Sequence, residues 1–478
     1  MKNRYHFLWN ILPAIGLFIW GAFGITENLW YDEAYSAALV SHTPGEIISI
    51  TSQDVHSPFY YLILKTFWEF LNPIAGFRCL KWFSILAIMG YLILGKFYVK
   101  KLFGERISVF FMLFSITMPI MTVQSGNVRM YTLSLFFLTW MSLVMLDILR
   151  EAHLLKWILL ILTSTCSVYC HTYTMLQAFF LHIIFFIVIL YQKKCNLLKG
   201  FFICGITVSA LFVPWLSVTY GQMQRRVVGN VNEQKTIRYI AKTLINCCKE
   251  WFSALETPLT IVLCLEMVIG LFLGWNAIKW MKAKHNYAPA LGMLAMTLTT
   301  IVGIVISVFT DQGFLGRYVF SGFAAIMLLY AVGMEQLHSE IMKILVILSV
   351  AVCFLLQYGS ELKLEYDAGL DMWKNFVEIV APNDVIMAEN IHSLYLSVYY
   401  PDHNYMIYGF MPEYVPFQNA ETFTRWEQLE QYEGVLWYIC GADHTPILLE
   451  EKYTWEEEID FHYMYQDFKV FCLKPVYE

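Results

Sequence analysis

The stretch SPFYYLILKTFWEFL, residues 57–71, decides the topology of this chain. It is apolar enough to pass for a membrane span. Yet it has 15 residues, with Lys65 at its centre and Glu69 near its end, whereas crossing a hydrocarbon core of about 30 Å takes roughly 17–25. A charge at mid-bilayer costs on the order of 2.5–3.5 kcal/mol on insertion scales. Counting the stretch as a span would also invert every later loop and put the basic ones outside. It is therefore expected to be a helix at the outer surface, or dipping shallowly into it, within one long outer loop, 27–76.

Around it the chain reads as an α-helical polytopic membrane protein. Of 478 residues, 58% are hydrophobic and 15% charged, against the usual quarter. Eleven stretches are long and apolar enough to span: about 7–26, 77–98, 107–124, 131–149, 156–172, 173–192, 200–219, 257–275, 288–310, 317–335 and 342–359. No small-residue cleavage site follows the first, so it is read as a span and not a signal peptide. With the N-terminus cytoplasmic, the inner loops carry Lys96, Lys100, Lys101 and Arg106, then Arg150 and Lys156, Lys193, Lys194 and Lys199, Lys279, Lys282 and Lys284, and Lys343. This is the positive-inside pattern of a multi-pass cell-membrane protein. The outer loop 220–256 breaks it with Arg225, Arg226, Lys235, Arg238, Lys242 and Lys249.

Two domains are expected, a transmembrane part, 1–358, and a soluble extracytoplasmic part, 359–478. The latter has 22 acidic and 6 basic residues, a surface that disfavours nucleic acid. NDVIMAEN and GVLWYICGAD read as buried strands bounded by turn residues, so a small α/β domain fits. Most of the eleven cysteines fall in spans as small apolar residues, and no spacing suggests a metal site. Cys440 and Cys472, both in the outer domain, are candidates for a disulfide.

Ionisable residues gather at the outer face: Asp32, Glu33, Asp54, His56, Arg129, His171, Arg225, Arg226, Asp311 and Arg317. Each has a plain structural reading. Asp32 and Glu33 could cap the helix beginning near Tyr35, Asp54 and His56 could be turn residues, the arginines could snorkel to headgroups, and His171 could be structural. The functional reading makes one carboxylate of the first pair a general base and its neighbour an orienting group. Arg129 with Tyr131, and Arg225 and Arg317, would then supply permanently charged donors to a phosphate. Asp32, Asp54 and His56 would also suit a divalent cation. Glu266 and His182 lie within spans and read as helix–helix contacts. Two acidic clusters with several arginines suggest deprotonation of a hydroxyl and departure of a phosphate. Since no Gly-rich phosphate loop is present, a lipid-linked phosphate is the fitting donor. The basic loop 220–256 could then cover its anionic headgroup.

The motifs WYDEAYS, DVHSPFYYLIL, VRMYTL, YCHTY, PWL and GRYVF, in this order over about residues 5–330, resemble the membrane glycosyltransferases of the GT-C fold. The likeness is to the protein-mannosyltransferase and aminoarabinose-transferase group, glycosyltransferase family 39. The resemblance implies transfer of a sugar, hexose or pentose, from a polyprenyl-phosphate donor. The acceptor would be a hydroxyl or amine of a lipid, glycan or protein at the extracytoplasmic face, and the anomeric centre would invert. It assigns Asp32 as base, Glu33 as its motif neighbour, Asp54 and His56 as a second polar cluster, and Arg129 and Arg317 as phosphate contacts. Two positions depart from the pattern: Ser57 stands where a first proline is common, and Asn127 near where an acid is common. The competing class is a transporter or flippase of a lipid-linked sugar. Such proteins tend to place sites near the midplane between repeated halves, and no internal repeat is visible here.

Overall fold

The computed structural model describes residues 2–227, 237–252, 260–309, 313–367, 369–389, 394–408, 420–423, 434–442, 453–463 and 466–476. They divide into two compact units, Met1–Ile25, Val55–Tyr60 and Lys81–Glu361 against Thr26–Asp54, Tyr61–Leu80 and Leu362–Glu478.

The first unit is a helical membrane bundle, because only helices or closed barrels satisfy every backbone polar group in lipid. Nine helices among the described residues are long and apolar enough to cross a bilayer. A tenth crossing is a broken pair, Glu105–Thr117 and Pro119–Ser125, bent by 67°. With the 17-residue apolar helix Leu154–Cys170, these coincide with the eleven expected stretches. The break has a local cause. Pro119 has no N–H to donate and suits a first helical position, and Met118 before it is extended, at φ −74° and ψ 124°. Helices pack closely where side chains are small. A Cβ on Gly333 would lie 2.2 Å from the Leu273 carbonyl, so only glycine lets those two helices meet. At one end of the bundle, buried Asp147 gathers Lys101 at 2.5 Å and Lys156 at 3.2 Å, using the basic loops to compensate a buried charge.

The second unit is built on a six-stranded sheet, β1 (Val385–Glu389), β2 (Asn404–Tyr408), β3 (Ala420–Phe423), β4 (Leu436–Gly441), β5 (Tyr453–Tyr463) and β6 (Gln466–Pro475), in the order β3-β2-β1-β4-β6-β5. β1 to β4 run parallel, and β6 is antiparallel to both β4 and β5. On one face Trp373, from the helix Leu370–Ile379, stacks on Phe461 at 4.9 Å and 6°. Ala34 and Ala38, of the helix Tyr31–Ser41, belong to the same buried cluster. Residues 27–76, apart from 55–60, thus belong to the unit of the C-terminal sheet, whereas the sequence boundary at 358/359 groups them with the membrane part.

Cys440 and Cys472 are not joined in a disulfide, which corrects the disulfide expectation. Cys472 lies opposite Trp437 on one face and Cys440 belongs to the cluster on the other, and side chains on opposite faces of a strand pair cannot meet. The stretch 57–71 is helical, within Phe59–Ala75. Its central Lys65 donates to the Val40 carbonyl at 3.2 Å and pairs with Glu69 at 2.9 Å, so the charge that argued against a span is held by protein.

Candidate functional site

The acidic pair sits in the first turn of the helix Tyr31–Ser41. The segment before it is pinned by two tyrosines: Tyr399 Oη accepts from Leu29 N at 2.9 Å and donates to Glu27 O at 2.5 Å, and Tyr463 Oη donates to Leu29 O at 2.9 Å. Trp30 is extended, and the helix starts after it. Glu33, only 3% exposed, accepts the Trp30 N–H at 2.9 Å, the reach-back bond of a capping box. The two carboxylates therefore differ. Glu33 is built into the helix start, while Asp32 is half-buried where the helix dipole favours a negative charge. Tyr35, one turn further along the face of Asp32, donates its hydroxyl to Asp54 at 3.0 Å, so the second acid lies beside the first helix.

The basic residues form a cluster in the membrane unit. The short helix Pro119–Ser125 after the break leads into a loop fixed by Asn127. Its amide donates to Gln124 Oε1 at 3.0 Å, and its carbonyl accepts from Ser84 Oγ at 2.6 Å and from Arg129 N at 2.8 Å. Arg129, 4% exposed, meets His56 Nε2 at 2.8 Å. A guanidinium can only donate, so His56 accepts at this nitrogen. His171 joins the helices Leu154–Cys170 and Thr172–Tyr191 in an extended conformation. It is caged by Tyr131 at 5.7 Å and by Tyr173 and Tyr318 at 5.8 Å, the last two stacked on each other at 5.1 Å. Burial first, then the charges of His56, Arg129 and Arg317, push its pKa down to about 3, so His171 is neutral near pH 7. Arg317 lies in the 3-10 turn Gly316–Gly322. Gln177 holds that turn through the Val319 carbonyl, at 3.2 Å, and Thr174 through Ser321, at 3.1 Å.

The structure thus brings His56, Arg129, Tyr131, His171 and Arg317 together, and separately places Asp54 beside the helix of Asp32 and Glu33. Arg225 and Arg226 end the helix Leu198–Val227, with side chains outside the described residues, as is Asp311. Among the described residues, no group of three or more His, Cys, Asp or Glu is arranged to hold a metal ion, so the cation reading of Asp32, Asp54 and His56 gains no support. His182 bonds Ala178 O at 2.8 Å within its own helix and meets Ser164 Oγ of the helix Leu154–Cys170 at 3.4 Å, the contact expected between helices. Glu266 also lines a small cavity with Thr117, Phe252 and Tyr330.

Sequence reasoning missed two residues. Lys81 is only 1% exposed, one helical turn from the Ser84 that holds the Arg129 loop. A buried ammonium is expensive, and RCLKWF at the entry to a span carried that signal as openly as VRMYTL did. Glu250 lies 67 positions before Arg317, and burial raises its carboxyl while the Arg317 charge opposes the rise. Only the folded chain brings those two together.

No family model matches the chain, and no curated protein sequence matches it. Two crystal structures of ArnT from Cupriavidus metallidurans are similar to it. The apo form has a TM-score of 0.65 at 12% identity, covering 97% of each chain. The form bound to undecaprenyl phosphate has a TM-score of 0.60 at 14% identity, covering 96% of this chain and 97% of that one. The chain has the ArnT-like GT-C fold, a multi-pass membrane bundle with a C-terminal sheet.

Proposed function

We propose that this protein is a membrane glycosyltransferase that moves a sugar from a polyprenyl-phosphate donor to an acceptor hydroxyl or amine. The sites face outside the cytoplasm, with the N-terminus inside and the C-terminal sheet outside, as the basic loops indicate. The observation that carries the reading is the pair of guanidinium groups, Arg129 and Arg317, gathered around His56 and neutral His171. It concentrates positive charge where a lipid-linked phosphate would leave, in a fold shared with a protein crystallised with undecaprenyl phosphate.

Asp32 is the general base. It takes the acceptor proton as oxygen or nitrogen attacks the anomeric carbon, a contribution of typically ~10²–10⁴-fold. The phosphate leaves from the opposite face with inversion. Arg129 and Arg317 stabilise the charge that develops on it, each donor contributing on the order of a few kcal/mol. Neutral His171 can donate a hydrogen bond without adding charge. Buried Lys81 adds a further cation beside the Arg129 loop. Glu33 supports the reaction by fixing the helix that bears Asp32, and Tyr35 does so by holding Asp54.

The test uses proteoliposomes loaded with a panel of labelled polyprenyl-phosphate sugars and given cell-envelope extract. The reading expects label in lipid, glycan or protein acceptors. Label that crosses the bilayer still attached to its polyprenyl phosphate, with no acceptor labelled, would favour the transporter class instead.

A further inference from the structure

We propose that Glu250 is a positioning residue for Arg317: together with Trp251 it clamps the start of the arginine-bearing turn to the amphipathic helix Ile237–Phe252. The inference rests on the donor reading above and deepens it.

The turn Gly316–Gly322 is a 3-10 segment that enters from extended Leu315. The first N–H groups of such a segment have no partner within it, and Leu315 offers no side-chain cap. The Glu250 carboxylate stands at that start, its Oε2 against the position a Gly316 Cβ would take, where the Gly316 and Arg317 N–H groups favour its charged form. Next to it, Trp251 Nε1 donates to the Gly316 carbonyl at 2.9 Å. Consecutive residues of one helix thus face the N–H groups and the carbonyl at one peptide neighbourhood. The fit is tight. A Cβ on Gly316 would lie 2.6 Å from Trp251 Nε1 and 2.9 Å from Glu250 Oε2, so glycine is required for the clamp to close. The same end of the helix is held a second time, since the Phe252 carbonyl accepts from Gln357 Nε2 at 3.3 Å.

A long arginine side chain reaches a phosphate reproducibly only if its backbone is fixed, and a misplacement of about 1 Å can cost ~10²-fold in rate. Glu250 acts here through hydrogen bonds to the main chain. It is not the phosphate's own contact, because a carboxylate would repel that group. Glu250 also feels the Arg317 charge, and the Gln variant, which keeps an acceptor oxygen and loses the charge, separates the two contributions.

The experiment measures binding of a polyprenyl phosphate to the full-length protein in detergent. Glu250→Ala should weaken binding about tenfold, the equivalent of roughly one lost hydrogen bond. Glu250→Gln keeps an acceptor oxygen and should stay within about threefold of wild type. Gly316→Ala, which forces the clamp open from the other side, should weaken binding as Glu250→Ala does. The double variant Glu250→Ala/Arg317→Ala should bind no more weakly than Arg317→Ala alone, because one residue acts through the other. Wild-type binding by Glu250→Ala, a multiplicative loss in the double variant, or a Glu250→Gln as weak as Glu250→Ala would overturn the proposal. Equal binding by wild type and Arg317→Ala would instead sink the donor reading itself, and the clamp's purpose with it.

Discussion

Replacing Glu33 separates the two carboxylates of the WYDEAYS motif by what they do. Glu33 is 3% exposed and its Oε2 accepts the Trp30 N–H at 2.9 Å. Glu33→Ala leaves that N–H without its acceptor at a buried helix start, a loss of about 1–3 kcal/mol. It also removes a favourable charge from the helix N-terminus, which is usually a smaller contribution, about 0.3–1 kcal/mol. Glu33→Gln keeps an acceptor in place and should lose less than half as much. For a unit of roughly 150–250 residues each kcal/mol moves Tm by ~2–4 °C, so Glu33→Ala should lower it by about 3–15 °C. Thermal unfolding of the detergent-purified protein, followed by tryptophan fluorescence, reads this out, because buried Trp373 and Trp437 share a core with the helix that follows Glu33. Turnover measured well below both transitions should survive in Glu33→Gln. An unchanged Tm in Glu33→Ala would refute the capping argument. Loss of turnover in Glu33→Gln as complete as in Asp32→Asn would show that the neighbour takes part in the chemistry.

Arg129→Lys keeps the charge but loses the planar donor set that meets His56. Donor-dependent turnover should fall about 10–100-fold, the value of one charged hydrogen bond, with the circular-dichroism spectrum unchanged. His171 supplies a pH dependence. Its pKa is about 3 in the fold and near 6.5 as a free imidazole, so between those values the unfolded chain binds the extra proton and stability rises with pH. Acidification from pH 6.5 to 5 should cost on the order of 2 kcal/mol, and His171→Gln should show a flatter Tm-against-pH curve over that window. Trp373→Ala removes the ring stacked on Phe461 and should destabilise the sheet-bearing unit by about 3–5 kcal/mol, seen as an earlier unfolding transition.

The membrane part was legible because its signal is composition over length. All eleven apolar stretches became helices, and the short charged stretch 57–71 was excluded as a span by Lys65, which the structure shows bonded to protein. Strands β1 and β4 were legible as short apolar runs between turn residues. The partition of the first loop was not. Ala34 and Ala38 carry no sequence mark of packing beneath Trp373, since small residues on a helix face fit many partners. The cluster was legible by motif where an ionisable residue stands at the end of a span, as Arg129, His171 and Arg317 do. The difference between Asp32 and Glu33 was invisible, because it depends on which carboxylate turns back to its own helix start. Cys440 and Cys472 misled for a related reason: proximity in a domain says nothing of which sheet face each occupies.

The central claim is tested most directly by Asp32→Asn, assayed beside wild type for the release of polyprenyl phosphate and the matching gain of sugar by the acceptor. The account predicts that the variant binds donor as wild type does, through Arg129 and Arg317, while release and transfer both fall by ~10²–10⁴-fold. Equal turnover by the two proteins would contradict it, and would remove Asp32 from the chemistry.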